Sequence, residues 1–452
     1  MPEPGHPTPD VIVVGGGCAG LAAATALAAR GARVRLVEAR PGLGGRASTY
    51  TDPATGERVD NGQHILMGCY RETLRFLERV GARTGLRAES GLAVPQVDRR
   101  GYRADFRLPP IPAPFHLLAG VLAWDALSWR ERLSVLRPGL ARELRRAATA
   151  GPAPGTHEVT VRQWLAGHGQ AARLTELLWE PLALAALNQS IDEAMAAPFV
   201  TVLAEMFGDD PEAATLLLPA RPLDDLFATP ARAFIEARGG EVRTSAPATV
   251  VVDPDGRLRG VQVRGELAVA PAVVVATGWF SLPALFGAGP PAALGAILDA
   301  ARATPPSPIV TVNLWFDRPV VSDTVIGLPG RTFQWVFDKG ALFGAGSSHL
   351  SLVSSGAAVV ADLDNDRLVT IALDEVRGAL PAARRATLRR ATAVRERRAT
   401  FSLAPGLPPR PGVATPVPGL WLASDWTDTG LPATIESAIV AGHLAAAAVI
   451  GN

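Results

Sequence analysis

The N-terminal part of the chain alternates apolar runs with glycine in an order that predicts a strand, a tight turn, a helix and a second strand. The apolar run Val11–Val14 ends in glycines, and the Ala-rich segment Ala19–Arg30 has the composition of a buried helix. Arg33–Glu38 alternates arginine with valine and leucine and ends in an acid. This order predicts a βαβ unit.

From about Gly68 the apolar residues recur at helical spacing instead. We predict helices over these segments: Tyr70–Val80, Trp129–Ala148 (interrupted at Pro138), Val161–His168, Leu174–Asn188 and Asp192–Phe207. Because they do not alternate with strands as βαβ repeats do, they predict a largely helical insertion.

Strand patterns resume after this helical region. Val273–Ala276 is fully apolar, as in a strand buried inside a parallel sheet, and the Asp253–Gly256 segment predicts a hairpin turn. Further strands are predicted at these segments: Gly240–Arg243, Ala248–Val252, Gly260–Val263, Val310–Phe316, Thr332–Phe337, His349–Val353 and Gly419–Asp425. The three segments between 310 and 353 predict an antiparallel sheet with Leu368–Leu380 as a covering helix. A helix over 432–450 closes the chain.

Composition narrows the function classes. Of the 452 residues, 48% are apolar and 19% are charged, which fits a globular protein with a large core. The net charge of +1 does not indicate a nucleic-acid partner. Lys339 is the only lysine among many arginines, which we interpret as coding bias. Cys18 and Cys69 have neither metal-ligand spacing nor a disulfide framework, so we predict two reduced packing residues and no metal site.

The sequence predicts neither a signal peptide nor a transmembrane helix. The first ten residues lack the basic and apolar parts of a signal peptide, and a core strand is predicted directly after them. No stretch reaches the roughly 18 uninterrupted apolar residues that a transmembrane helix needs. We therefore expect a cytoplasmic protein and leave open a peripheral contact at the inner face of the membrane.

The first predicted turn has the chemistry of a dinucleotide site. Gly15 allows a tight turn, Gly17 lets a pyrophosphate approach the backbone, and Gly20 lets the helix pack on the strand. The helix N-terminus, with Cys18 and Ala19, offers free N–H groups to phosphate. Glu38 stands where a carboxylate accepts hydrogen bonds from an adenosine ribose. The alternative is a structural glycine turn in another α/β protein.

The C-terminal segment favours FAD over NAD as this dinucleotide. Asp425 follows a core strand, and Pro432 begins a helix after a glycine turn. The N–H groups of Ala433, Thr434 and Ile435 are unsatisfied helix-end donors that would stabilise negative charge on a reduced flavin. The glycines of Gly44-Gly45-Arg46 permit close approach of backbone to the cofactor, while the arginine adds a fixed positive charge.

These segments together predict the domain organisation. We expect an α/β fold in which a discontinuous Rossmann-like FAD-binding domain comprises residues 10–70, 215–285 and 410–452. Residues 71–214 and 286–409 are expected to form an inserted substrate-binding domain of helices and antiparallel sheet.

The chain resembles the flavin amine oxidase and phytoene desaturase superfamily in Gly15-x-Gly17-x-x-Gly20, Glu38, Gly44-Gly45-Arg46, Asp60-x-Gly62-x-His64 and the 425–434 segment. It resembles the hydroxysqualene dehydroxylase family, also called squalene-associated FAD-dependent desaturases, more narrowly. The strings that carry this narrower resemblance are Asn61–Tyr70, the proline-rich Leu108–Leu117, Leu178–Leu182, Phe333–Phe337 and Asp425–Thr434. Ser424 stands where the superfamily usually has glycine.

The residues expected to bind FAD are the following: Gly15, Gly17, Cys18, Ala19, Gly20, Glu38, Ala39, Arg40, Gly44, Gly45, Arg46, Gly62, Gln63, His64, Ala248, Ala276, Asp425, Pro432, Ala433, Thr434 and Ile435. The resemblance implies that reduced FAD removes the hydroxyl group of hydroxysqualene and gives squalene on the route to hopanoids. A general acid should assist departure of the hydroxyl. His64 is the first candidate, although it could instead be a structural histidine, and Asp60, Glu180 and Asp338 are others. The electron donor for FAD is not indicated.

Two other functions remain open. A carotenoid-precursor desaturase, acting on phytoene or dehydrosqualene, would share the fold and cofactor but would pass electrons from substrate to flavin. A non-catalytic prenyl-lipid carrier on the same fold would bind no flavin. An amine oxidase is disfavoured because the chain has only three tyrosines from which to build an aromatic cage.

A long hydrocarbon substrate requires an apolar tunnel and a route into it. The apolar Pro112–Leu127 segment, followed by Arg130, Arg132 and Arg137, predicts an interfacial patch through which lipid enters. The alternative is a buried helix with a solvated basic continuation. Aromatic residues could line the tunnel and stabilise a cation, and the candidates are Trp164, Trp179, Trp315 and Trp335.

Overall fold

The computed structural model describes residues 8–89, 92–109, 111, 115–253, 255–287, 289–344 and 348–451. Three sequence predictions fall partly outside these ranges. Pro110 and Pro112–Pro114 belong to the proline-rich string and the proposed interfacial segment, and Pro254 belongs to the 253–256 turn.

The strands of the described residues are numbered in chain order. They are β1 (Val11–Val14), β2 (Val34–Val37), β3 (Thr49–Thr51), β4 (Arg58–Asp60), β5 (Leu66–Met67), β6 (Leu86–Ala88), β7 (Ala93–Val97), β8 (Arg103–Arg107), β9 (Leu216–Pro219), β10 (Glu241–Arg243), β11 (Ala248–Val252), β12 (Leu258–Val263), β13 (Glu266–Ala268), β14 (Ala272–Val275), β15 (Pro306–Phe316), β16 (Val325–Gly327), β17 (Trp335–Asp338), β18 (Ser348–Ser354), β19 (Leu388–Phe401) and β20 (Leu420–Leu422).

The α-helices are numbered in the same way. They are α1 (Cys18–Ala29), α2 (Arg71–Arg79), α3 (Phe115–Ala123), α4 (Trp129–Leu133), α5 (Pro138–Ala150), α6 (Val161–Gly167), α7 (Ala172–Leu174), α8 (Glu180–Leu187), α9 (Ala196–Met206), α10 (Thr229–Glu236), α11 (Gly295–Ala303), α12 (Lys339–Phe343), α13 (Asn365–Ala379) and α14 (Ile435–Ile450). A π-helical turn over Thr175–Trp179 precedes α8.

A parallel sheet of order β10-β2-β1-β14-β20 forms the centre of the cofactor-binding part. Its strands come from the beginning, the middle and the end of the chain, so the prediction of a discontinuous Rossmann-like α/β fold is confirmed. β1 is buried on both faces, with Ile12 and Val14 in one apolar cluster and Val11 and Val13 in another. This burial explains why the strand is a continuous apolar run.

The helices α1 and α14 pack against each other beside this sheet. A side chain at Gly442 of α14 would lie 2.3 Å from the carbonyl oxygen of Ala19, so glycine is what permits the close approach. The strands that precede α1 and α14 are separated in the sheet by β14 alone, and the first turns of α1 pack against the middle of α14 at Gly442.

A second, seven-stranded sheet has the order β19-β15-β18-β17-β16-β7-β8. Its pairs are antiparallel except β16 with β7, which confirms an inserted antiparallel sheet with helices, and α13 covers one face. The largely helical region predicted after residue 68 also contains three strands that the sequence pattern did not predict, β6, β7 and β8. The sequence pattern also missed β19, in which neither face is consistently apolar. A smaller antiparallel sheet, β11-β12-β13, follows β10.

Candidate functional site

The glycine turn after β1 is built as its spacing predicts. Gly15 has a φ of +110°, and a side chain there would lie 2.4 Å from the carbonyl oxygen of Ala276 at the end of β14. A side chain at Gly20 would lie 1.9 Å from the carbonyl oxygen of Gly15. These two positions therefore require glycine for packing within the protein itself.

Gly17 is different, because a side chain at this position would meet nothing within 4 Å. Gly17 is the N-cap of α1, it makes no side-chain cap, and the first turn of α1 contains no acid. The N–H groups at the start of Cys18–Gly20 and the positive end of the helix dipole thus border open space. This arrangement is a ready site for a pyrophosphate.

The carboxylate of Glu38 is held at the end of β2. It accepts hydrogen bonds from the N–H of Gly16 (2.7 Å) and the N–H of Arg40 (2.8 Å). Ala39 and Arg40 are exposed, and the N–H of Ala246 donates to the carbonyl of Glu38 at 2.8 Å. Ala248 begins β11 two residues further on, so these predicted adenosine contacts lie on neighbouring segments.

An ion pair with a buried carboxylate joins the loop after β2 to the C-terminal segment. Arg46 donates from Nη2 to Asp425 Oδ1 at 2.6 Å and from Nη1 to the carbonyl of Ala399 at 2.7 Å. Burial alone lowers the pKa of Arg46, but Asp425 and Glu396 outweigh it and the pKa is raised. Gly44 and Gly45 both have positive φ, and the Gly44 N–H donates to the carbonyl of Gly16. The Gly44–Arg46 loop is therefore attached to the glycine turn.

The N-terminus of α14 keeps free donors. Its N-cap Thr434 accepts a hydrogen bond from the N–H of Ser437 at 3.1 Å. The carboxylate of Glu436 is turned away, because it accepts hydrogen bonds from the N–H groups of Glu72 and Thr73 at the start of α2. Within the described residues, the N–H groups of Ala433 and Ile435 have no acceptor. This helix end stays positive, as stabilisation of a reduced flavin requires.

The loop after β4 contains His64. Its Nδ1 donates to the carbonyl of Gly62 at 3.0 Å, because a carbonyl oxygen can only accept. In the neutral ring Nε2 consequently bears a lone pair, so His64 can donate from Nε2 only as the imidazolium. Burial lowers the pKa of His64, while Asp60 acts in the opposite direction. A lower pKa makes the imidazolium scarcer but a stronger acid.

Sequence reasoning missed Lys339 beside this loop. Its ammonium group donates to Asp60 Oδ2 at 2.9 Å and to Gln63 Oε1 at 2.7 Å, and its side chain is 2% exposed. The sequence contains a signal for this residue, because a single lysine in an arginine-rich chain is unusual. Interpreting that lysine as coding bias overlooks the signal. Only the fold shows that it lies against residues from β4 and the following loop.

Two of the other three candidate acids, Asp60 and Asp338, have structural partners. Asp60 also accepts from Thr49 Oγ1 and from the N–H of Leu223, so it does not have a free carboxyl group. Asp338 caps α12 by accepting from the N–H of Ala341, and burial raises its pKa. Burial also raises the pKa of Glu180 at the start of α8.

Two of the tryptophans predicted to line the tunnel, Trp179 and Trp315, donate hydrogen bonds to other side chains of the protein. Trp179 is fully buried and donates to Gln170 at 3.1 Å. Trp315 stacks on His349, with ring centres 4.1 Å apart, and donates to Glu57. The indole N–H groups of Trp164 and Trp335 have no acceptor in the described part of the chain. The role of these two in a tunnel stays a prediction.

The cysteines confirm a packing environment. Cys18 is buried, and burial raises the pKa of its thiol to about 12, so the thiolate is not populated at neutral pH. Burial also raises the pKa of Cys69 to about 12. No disulfide links them, since both are free.

The predicted lipid-entry segment is partly buried where it is described. In α3 the buried residues are His116, Leu117, Gly120 and Val121, as the alternative of a buried helix expects. Arg132 folds back over the ring of Trp129 at 4.7 Å and donates to the carbonyls of Leu122 and Leu127. It is therefore not a free basic residue. No helix in the described ranges is long and apolar enough to cross a bilayer.

Comparison with known proteins finds one matching family and several proteins that are similar over nearly their full length. The model of a family described as flavin containing amine oxidoreductase matches residues 18–450. The chain is 28% identical to hydroxysqualene dehydroxylase of Sinorhizobium fredii over 97% of both proteins. It is 29% identical to the Rhodopseudomonas palustris protein of the same name, over 97% of this chain and 98% of that protein. It is 24% identical to 15-cis-phytoene desaturase of Synechococcus elongatus, over 98% of this chain and 96% of that protein.

The fold is shared with solved flavoenzymes. Cyclohexylamine oxidase from Brevibacterium oxydans superposes with a TM-score of 0.73 over 98% of this chain and 99% of that chain, at 16% identity. At this identity the likeness concerns the fold.

Proposed function

Because the chain belongs to the family of flavin containing amine oxidoreductases, we propose that this FAD-dependent oxidoreductase removes the hydroxyl group of hydroxysqualene and yields squalene. The observation that carries the proposal is full-length similarity to two hydroxysqualene dehydroxylases combined with a complete set of cofactor segments. In this reaction the carbon–oxygen bond breaks, a carbon–hydrogen bond forms, and the hydroxyl leaves as water. A non-catalytic carrier is not proposed, since it would bind no flavin.

The residues present fit FAD. Gly17 leaves space in front of the N-terminus of α1, Glu38 is placed for a ribose, and the N-terminus of α14, the helix that packs on α1, keeps unpaired N–H donors. When bound in its reduced form, FAD supplies the hydride that replaces the hydroxyl group. The protein must hold the cofactor, orient the substrate and keep bulk water from the allylic cation.

His64 is the proposed general acid. As the imidazolium it donates from Nε2 to the departing hydroxyl, while Nδ1–H stays bonded to the carbonyl of Gly62. Loss of water leaves a cation delocalised over the allylic carbons, and the same step returns His64 to its neutral form. Asp60 and Lys339 lie beside it and form a neutral pair, so they do not add net charge to the site.

A carotenoid-precursor desaturase is the second candidate, favoured by the similarity to 15-cis-phytoene desaturase. It would pass two electrons from the substrate to FAD. Anaerobic incubation of photoreduced protein with hydroxysqualene separates the two functions. Reoxidation of the flavin together with formation of squalene supports the dehydroxylase. If no squalene forms, while oxidised protein desaturates phytoene or dehydrosqualene, the first proposal is wrong.

We also propose that the substrate enters from an anionic membrane surface. Two large apolar side chains are strongly exposed near α3 and α4, namely Phe115 (61%) and Trp129 (67%). Leu133 and Leu136 continue this exposed apolar strip, and Arg130 and Arg137 are exposed beside it. Apolar side chains bordered by arginines are typical of a segment that lies in the headgroup region. We call these six exposed residues, Phe115, Trp129, Arg130, Leu133, Leu136 and Arg137, the entry patch.

A further inference from the structure

A buried cation lies where the two parts of the molecule meet. Lys339 begins α12, directly after β17 of the seven-stranded sheet, while its partners Asp60 and Gln63 belong to β4 and the following loop. The ammonium nitrogen is also 3.8 Å from the centre of the Phe343 ring. One side chain therefore connects the substrate-binding sheet to the cofactor-binding part.

Stability alone does not account for this lysine. Burial lowers the pKa of Lys339, although Asp60 opposes the effect. The cation is also in the first turn of a helix, where the dipole disfavours positive charge. Apolar replacements for a buried ion pair are often as stable as the pair or more stable. The second hydrogen bond, to Gln63, indicates a role in placing the loop.

The loop held by this lysine exposes backbone donors. Gln63 Oε1 is bound to Lys339, and its Nε2 donates to the carbonyl of His64 at 3.1 Å. His64 in turn donates to Gly62, so the side chains fix the whole loop. Among the described residues, the N–H groups of Gly62, Gln63 and His64 find no acceptor. These donors are available to a bound group.

We propose that Lys339 is a positioning residue of the flavin site, which holds the Gly62–His64 loop against the seven-stranded sheet through Asp60 and Gln63. The loop then presents its N–H groups to the cofactor. This inference rests on the predicted place of the loop beside FAD, and not on the identity of the substrate.

The test measures the dissociation constant of FAD and the midpoint potential of the bound flavin. Lys339→Met should weaken FAD binding at least tenfold, because the loop donors are no longer held in place. A tenfold loss of preference for reduced over oxidised flavin lowers the midpoint potential by about 30 mV for a two-electron couple. Lys339→Arg should restore part of both changes, since it keeps a cation with several donors.

Two variants separate positioning from simple charge compensation. The double variant Asp60→Asn with Lys339→Met has no uncompensated buried charge but still lacks the tether to Gln63, so both changes should persist. Arg173→Met is the matched control, because Arg173 pairs with the buried Asp98 at the turn after β7. It should lower stability and leave FAD affinity and potential unchanged.

The proposal is overturned if the double variant binds FAD with the affinity and potential of the unmodified protein, because Lys339 would then only neutralise Asp60. It is equally overturned if Arg173→Met shifts both quantities as much as Lys339→Met does. Should Lys339→Met not fold, the double variant carries the test. Hydroxysqualene is absent from these measurements, so failure here leaves the proposed reaction standing.

Discussion

Substitution of Gly17 by alanine should separate cofactor binding from folding. The backbone of Gly17 (φ −76°, ψ 179°) is accessible to any residue, and the added methyl group meets no protein atom within 4 Å. A Gly→Ala change at such a site stabilises a protein by roughly 0.4–1 kcal/mol through the unfolded state. We therefore expect the apoprotein to unfold at the same or slightly higher urea concentration.

FAD binding should respond in the opposite direction. The methyl group occupies the space in front of the α1 N-terminus, so the pyrophosphate must move away from the N–H donors. A hydrogen bond to a charged group contributes about 1.5–3 kcal/mol. Loss of one of them, about 1.5–3 kcal/mol, corresponds to a roughly 10- to 140-fold weaker FAD complex.

The assay is titration of the apoprotein with FAD, followed by quenching of flavin fluorescence. Gly42→Ala is the matched control, because Gly42 also has nothing within 4 Å but lies in an exposed loop, and its FAD affinity should not change. Gly20→Ala should instead destabilise the apoprotein, given its 1.9 Å clash. If Gly17→Ala binds FAD as tightly as the unmodified protein, the assignment of this space to the pyrophosphate is refuted.

Three further predictions concern the acid, the ion pair and the entry patch. With reduced enzyme, kcat should rise as the pH falls toward the lowered pKa of His64. His64→Gln should remove this pH dependence of kcat and slow the reaction roughly 100-fold. An unchanged pH profile of kcat in the variant would exclude His64 as the acid. Arg46→Met leaves the Asp425 carboxylate buried without its partner and should cost about 3–5 kcal/mol in urea unfolding of the apoprotein. Adding Asp425→Asn should recover part of this loss, and a loss below about 1 kcal/mol would contradict the buried charge pair. Trp129→Ser and Leu133→Ser should each weaken cosedimentation with phosphatidylglycerol vesicles roughly tenfold or more, at about 1.5–3 kcal/mol for each apolar side chain. Val359→Ser is the control, because Val359 is 90% exposed on another part of the surface, and this variant should not weaken binding to the vesicles. Equal weakening in all three variants would argue against the entry patch.

Local sequence patterns were sufficient to predict much of the secondary structure of the cofactor-binding part. The Val11–Val14 strand, the glycine turn and the acid at Glu38 are close in sequence, so their spacing reports directly on geometry. The C-terminal strand and helix were readable for the same reason, with β20 and α14 inside the predicted segments. The placement of helix starts was less accurate, as with α9, which begins at Ala196 rather than at Asp192.

The sequence pattern did not predict strands in which each face carries both polar and apolar residues. β19 contains five arginines and is partly exposed along most of its length, so period-two alternation is weak. The β7–β8 hairpin was hidden inside a region dominated by helical spacing. β19 pairs with β15, and β7 pairs with β16 as well as with β8. The partners β15 and β16 are far away in sequence, and no local pattern records such pairing.

The sequence by itself determined the cofactor class and the fold type, because these depend on glycine spacing, apolar periodicity and the ends of individual helices. Only the tertiary structure decided which charges meet. Arg46 and Asp425 are 379 residues apart, and Lys339 and Asp60 are 279 apart, yet in each case the two residues form an ion pair whose carboxylate is buried. Such contacts depend on how the sheets bring distant strand ends together, and burial then makes an unpaired charge too costly to leave.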